Sequence, residues 1–245
     1  RASFLFVSED YAAVIPLLRR ILAADPANLD AALRLATAHS ALGQEAQAEA
    51  AFERARGLAP DSPDVRTYLA LHYARTPRWQ RAVPLLERVV AESPERLPAL
   101  EALAVARQRQ GRIAEAIDLR QRVYALRAPT AAELVQLGRL AMSLQRTPLA
   151  IESLEKARPA QGSAFAHDLE LGVLYLAARR LEEARAALDR VPPRHPQYAM
   201  ALFKRAQVSV LLGEPDRASR IAAARRGADA TTRPLVEREA LFRRP

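Results

Sequence analysis

The chain of 245 residues has no cysteine, which rules out a disulfide framework and a thiolate metal site and leaves its redox compartment open. Aromatic residues make up only 5% although 50% of residues are hydrophobic, a poor match to a β-sandwich core and a good one to helices packed closely through alanine. No apolar run approaches the roughly 20 residues that span a bilayer, and Arg1–Val7 lacks a signal-peptide layout. Glycine is scarce, at eight residues, and none forms a phosphate-binding loop or a Gly-x-Ser-x-Gly nucleophile elbow. His39, His72, His167 and His195 supply no i, i+4 ligand pair, so no metal is expected. Carboxylates such as Asp61, Asp64, Glu182 and Glu183 read as helix-start residues that offset the macrodipole, not as catalytic groups. The chain is therefore expected to be no enzyme and to carry no cofactor.

What the sequence does have is a ruler. Alanine recurs at 48, 82, 116, 150, 184 and 218, always 34 residues apart. The same spacing relates Ala36, Ala70, Ala104, Gly138, Gly172 and Ala206, and the leucines 35, 69, 103, 137 and 171 that precede all but the last of them. A 34-residue period with two small-residue positions resembles the tetratricopeptide repeat, in which helix-turn-helix units stack on their neighbours. The resemblance implies an all-α fold, an α-solenoid wound as a right-handed superhelix of helix-turn-helix repeats, with no single core to count domains by.

With the leucine as slot 7 of each unit, the full repeats are 29–62, 63–96, 97–130, 131–164, 165–198 and 199–232. Residues 1–28 form a partial repeat, mainly its second helix, with Val14, Leu18 and Ile21 as its buried positions; 233–245 form another partial repeat or a C-terminal capping helix that buries Phe242. Because the first residues fall inside a repeat, the chain reads as an excerpt of a longer protein. Gly43, Gly111 and Gly213 share slot 15, where a turn needs positive φ. Pro16 and Pro84 share slot 22 inside the second helix, where a slight bend rather than a break is expected. Trp79 reads as a packing wedge. The last full repeat departs from the pattern: Arg205 stands where leucine is expected, and Ala222 and Arg225 replace large apolar residues.

The formal net charge is +9, but it is patchy, and most arginines are followed within a turn by an acidic residue. A nucleic-acid partner would require a basic stripe with interleaved aromatics, so nucleic acid is disfavoured. Arginine outnumbers lysine 35 to 2, which favours bidentate carboxylate contacts at any binding face. The resemblance implies that first helices line a concave groove through slots 2, 5, 9, 12 and 13. Polarity falls along those slots, from Asp30, Thr37 and Ser40 to Leu169, Val173, Leu176 and Phe203.

The expected function is thus a protein–protein interaction scaffold. A protein or peptide partner would have its acidic groups held by Arg75, Arg109 and Arg139 and its apolar groups by Val135, Leu169, Val173, Leu176 and Phe203, with Gln207 at the far end. Capture of a terminal carboxylate by Lys at slot 5 does not fit, since slot 5 contains no lysine. Two alternatives stay open: an envelope scaffold for polysaccharide secretion or outer-membrane assembly, and an accessory repeat region of a larger enzyme. Localisation is open between the cytoplasm and periplasm of a bacterial-type cell, as is the oligomeric state.

Overall fold

A computed structural model describes residues 11–76, 78–161 and 166–243, apart from the side chains of Gln161 and Arg243. Among these residues there are fourteen α-helices and no strand, so the protein is an all-α repeat protein of the α-solenoid class. It divides into two compact units, Arg1–Ala128 and Pro129–Pro245.

The first unit contains α1 (Tyr11–Ala24) and three hairpins: α2 (Leu29–Ala41) with α3 (Glu45–Leu58), α4 (Pro63–Arg75) with α5 (Trp79–Glu92), and α6 (Leu97–Arg109) with α7 (Ile113–Leu126). The second unit repeats the plan with α8 (Ala131–Ser143) and α9 (Thr147–Gln161), α10 (Asp168–Ala177) and α11 (Leu181–Asp189), and α12 (Tyr198–Leu212) and α13 (Arg217–Arg226). It ends with α14 (Arg233–Arg238) and a 3-10 turn, Ala240–Arg243.

Local chemistry sets these boundaries. Asn28, Ser62 and Thr130 are N-caps whose side chains accept hydrogen bonds from the backbone N–H of Ala31, Val65 and Glu133. Thr130 and Glu133 complete a reciprocal capping box. First helices end on a turn with φ near +70° at Gly43, Gly111 and Gly213, as the glycine spacing predicts. At the same slot Gln145 (φ 55°) and Arg179 (φ 60°) adopt this conformation without being glycine, which the sequence does not advertise. Helices α1 and α5 run unbroken through Pro16 and Pro84, whose rings face solvent. Trp79 opens α5 half-buried against the core of the first unit.

Packing explains the ruler. Ala48, Ala82, Ala116, Ala150 and Ala184 are all 0% exposed, and so are Ala36, Ala70 and Ala206. At Gly172 even a methyl group has no room, since a Cβ there would lie 2.5 Å from Leu188 Cγ; at Gly138 it would lie 3.0 Å from Leu154 Cγ. Ala218, the sixth alanine of the series, is exposed, and α13 buries only Ala224. This is the loosely specified last repeat in physical form. In α1 the buried row is Val14, Leu18 and Leu22, one above another at four-residue spacing, so Leu22 takes the place expected of Ile21, which is 36% exposed. The part of this partial repeat at residues 1–10 lies outside the described residues.

The alanine series separates cleanly into buried and exposed members. Ala116→Leu is expected to cost about 1–3 kcal/mol by overpacking, whereas Ala218→Leu should change stability by no more than about 0.5 kcal/mol. Thermal melting followed by circular dichroism checks both. Arg179→Gly relieves a left-handed backbone in a non-glycine residue and should stabilise the second unit by about 0.5–1 kcal/mol, read as a raised denaturation midpoint.

Candidate functional site

The inner face of each unit follows from how its hairpins stack. Within the first unit α2 touches α4 and α4 touches α6; within the second, α10 touches α12. Second helices do not approach one another comparably, so the first helices are on the tighter, inner side of each stack. Slots 9 and 12 of those helices are never buried: Thr37, Leu71, Val105, Arg139, Val173 and Gln207 at slot 9, and Ser40, Ala74, Gln108, Met142, Leu176 and Val210 at slot 12 are all half-buried or exposed.

Slot 5 behaves differently. Val135, Leu169 and Phe203 are 7%, 4% and 4% exposed, and Leu33 and Thr67 are buried as well. The expectation that Val135, Leu169 and Phe203 line the groove is corrected here. Val135 and Leu169 belong to the packed core of the second unit, because slot 5 turns toward neighbouring helices, and they support the inner surface from beneath. Phe203 is covered by Phe242, whose ring meets it edge-on with centroids 5.8 Å apart. Gln207 is half-buried and donates from Nε2 to Glu239.

What remains accessible falls into two patches, one per unit. In the first, Leu71 and Val105 accompany the exposed Arg75 and Arg109; in the second, Met142, Val173 and Leu176 rest on the core with one side free, near the exposed Arg139 in slot order. Other first-helix arginines are engaged: Arg34 with Asp30, Arg66 with Glu92, Arg107 with Glu87 and Glu115, and Arg205 with Asp189 and Glu214. Among the described residues Arg75, Arg109 and Arg139 make no hydrogen bond or ion pair.

Engaged side chains lock successive hairpins together. In the second unit, Tyr175 Oη donates to Glu155 Oε1 at 2.6 Å and Arg180 stacks 4.6 Å from the Tyr175 ring centroid. Burial, reinforced by the Glu155 hydrogen bond, pushes the Tyr175 phenol up to about 12, so it remains a donor at every physiological pH. Arg205, in a slot that elsewhere holds leucine, is 5% exposed and forks between Asp189 at 2.8 Å and Glu214 at 2.7 Å. The acidic pair that makes this substitution tolerable is invisible to the repeat pattern.

Each histidine is absorbed locally. His39 Nδ1 lies 2.5 Å from Gln44 Oε1, His167 pairs with Glu170, and His195 accepts from the Gln197 backbone N–H. His72 is 2% exposed, 2.8 Å from Ser40 Oγ of the preceding hairpin, and flanked by the rings of Phe52 and Tyr73. No group of His, Asp and Glu among the described residues could hold a metal ion, and none of the described helices is long and apolar enough to cross a membrane.

A helical-repeat scaffold for protein contacts is the class this fold and these faces define. The family model described as tetratricopeptide repeat matches residues 69–132 and 135–199, a second model of the same description matches 5–71, and the chain belongs to the tetratricopeptide repeat family. That family is a non-catalytic type of scaffold that binds protein partners. Among solved structures the chain is similar to MamA AMB-1, at 29% identity and a TM-score of 0.51, over 60% of this chain and 80% of that one. Two further MamA structures share the fold: one is 18% identical with a TM-score of 0.54 over 64% of this chain and 91% of that one. The other, an RS-1 double mutant, is 17% identical with a TM-score of 0.56 over 66% and 93%. No curated protein matches the chain.

Burial holds the His72 imidazole below its ordinary value of 6.5, opposed by Glu49 and Glu45 and aided by Arg78 and Arg75. The unfolded chain therefore takes up a proton near pH 6.5 that the folded one refuses, so stability is complete above that pH and falls as the solution is acidified. Denaturation midpoints of the first unit should decline between pH 7.5 and 5.5, and His72→Leu should flatten that decline.

Proposed function

We propose that the chain is a scaffold whose inner faces grip extended segments of a partner protein carrying carboxylates beside aliphatic side chains. The observation that carries this reading is the contrast among first-helix arginines: four are paired internally, whereas Arg75, Arg109 and Arg139 present unpaired guanidinium groups on the inner side. A guanidinium matches a carboxylate bidentately, and such contacts supply orientation and specificity. Half-buried Val173 and Leu176 add apolar area on a rigid support, so little side-chain entropy is lost on binding. Each patch acts within its own unit. The set differs from the nine residues expected from sequence by treating Val135 and Leu169 as support and Phe203 and Gln207 as already occupied.

Selection of a random peptide library on the whole chain tests this. Enriched peptides should combine Asp or Glu with Leu, Ile or Val. Arg139→Glu should erase the acidic preference, and Val173→Asp with Leu176→Asp should reduce binding at least about tenfold, roughly 1.4 kcal/mol or more, at unchanged helicity. Enrichment without either signature, or indifferent to these substitutions, would move the interface to the outer helices.

A further inference from the structure

In the last repeat the inner face is already taken, and the occupant is the chain's own tail. Phe242 covers Phe203, Glu239 accepts from Gln207 Nε2, and Lys204 Nζ sits 5.0 Å from the centroid of the Phe203 ring. Lys204 is half-buried; burial lowers its pKa and the Glu239 carboxylate opposes that effect, as expected of an acid held near a cation. Phe203 and Gln207 thus play the roles that an apolar and a polar inner-face residue would play toward a partner, and the tail supplies a carboxylate followed three residues later by an aromatic ring.

The two sides of this contact differ in firmness. Helix α12 is fixed by Ala201, Ala206 and Val208, all 2% exposed or less. The tail has a six-residue helix, too short to persist alone, and a single 3-10 turn. Leu235 is 43% exposed and Leu241 half-buried. An open cleft of about 660 Å³, walled by Val210, Ile221 and Ala222, flanks Phe242 on one side, and another of about 420 Å³ lies beneath Val236 and Glu239. Upstream, Asp229 Oδ1 accepts from the Thr231 and Thr232 backbone N–H groups and from Thr232 Oγ1, a turn complete in itself about which the tail can leave. Two buried apolar side chains, Val236 and Phe242, hold the segment, which otherwise has only short helical structure and a self-sufficient hinge, so its local stability is set by that one contact.

We propose that residues 239–242 are an internal ligand, a detachable plug that occupies the inner face of α12 until a partner segment of the same chemistry, a carboxylate with an aromatic ring three residues on, displaces it. This rests on the reading that first-helix faces bind segments, and extends it to a face that sequence alone assigns to the groove. A covalently attached plug competes at high effective concentration, so the intact chain should bind such a segment weakly.

The test uses the full chain and a fluorescent peptide with the sequence of residues 233–243. The doubly substituted chain, Glu239→Ala with Phe242→Ala, should bind the peptide at least about tenfold more tightly than the intact chain does, because its plug no longer competes. A peptide carrying Phe242→Ala should not bind, and Gln207→Glu in the unplugged chain should weaken binding by placing like charges together. In the intact chain, backbone amides of 233–243 should exchange with solvent well before those of α12. The proposal falls if the peptide binds both chains equally or neither. It also falls if the double substitution removes the exchange protection of α12 and α13, which would make the tail a structural cap, or if the tails swap between copies to give a dimer that Phe242→Ala dissolves. Because only α12 is read out, a negative result leaves the patch at Arg139, Val173 and Leu176 standing, and failure of that patch leaves the plug testable.

Discussion

Two hairpins of the second unit close over the same obstacle, the residue at slot 8, where the side chain that leans over it from slot 24 of the second helix leaves little or no room for a Cβ. Under Leu188 a Cβ at Gly172 would lie 2.5 Å from Leu188 Cγ, and under Leu154 a Cβ at Gly138 would lie only 3.0 Å from Leu154 Cγ. In the first unit the same slot holds Ala36 and Ala70, both 0% exposed. Interiors packed to crystal density transmit such a constraint outward. The turn then reverses within a few residues, through a left-handed residue at slot 15 in Gly43, Gly111, Gln145, Arg179 and Gly213, and slots 4, 5, 7 and 11 are mostly turned toward neighbouring helices. The inner face is what those demands leave over.

The arginine excess has a structural use as well. Arg54 and Arg122, at the same slot of second helices two repeats apart, donate to the carbonyls of Pro26 and Pro94, each 28 residues back. Arg78 reaches Glu45 and Glu49 of the hairpin before it. Exposed pairs of this kind contribute about 0–1 kcal/mol apiece, so they set the register of one hairpin on the next more than they hold the stack together. Guanidinium forks suit the task because their geometry is fixed, which accounts for arginine over lysine better than a polyanion-binding surface would. A formal charge of +9 is therefore a poor guide to partners here, since much of the basic charge is already answered within the chain.

The steric rules were legible because they act through residue size and period, which a sequence displays directly. Glycine at 43, 111 and 213 announced positive φ, whereas Gln145 and Arg179 were silent, because the turn is imposed on them by the hairpin and not requested by the residue. Arg205 looked like a defect since its carboxylates, Asp189 and Glu214, come from a different helix and from a turn, and a 34-residue register compares equivalent slots rather than contacting ones. The same blindness affected the site. Slots 9 and 12 are accessible and slot 5 is mostly buried, because whether a helix face meets solvent or the next helix depends on the crossing of two helices, a quantity with no sequence period. Burial of Phe242 follows from reading 233–245 as a capping helix, whereas Phe203 as its partner has no signature in the sequence.

This division separates what the fold requires from what a partner could require. Slots 8 and 20 vary little because, at every position but the exposed Ala218, enlargement collides with a neighbouring helix. Slots 9 and 12 run from Thr37 and Ser40 through Leu71 and Gln108 to Val173 and Leu176, and no packing rule selects among them. Free variation at a fixed, rigidly supported location is the condition under which binding chemistry can be chosen without penalty to stability. The last repeat is where the two demands meet. Its second helix leaves Ala218 exposed, half-buries Ile221 and fully buries only Ala224, and the segment that lies on Phe203 and Gln207 joins the same apolar cluster. One short stretch of chain thus lies on Phe203 and Gln207 and also covers the apolar surface of this repeat.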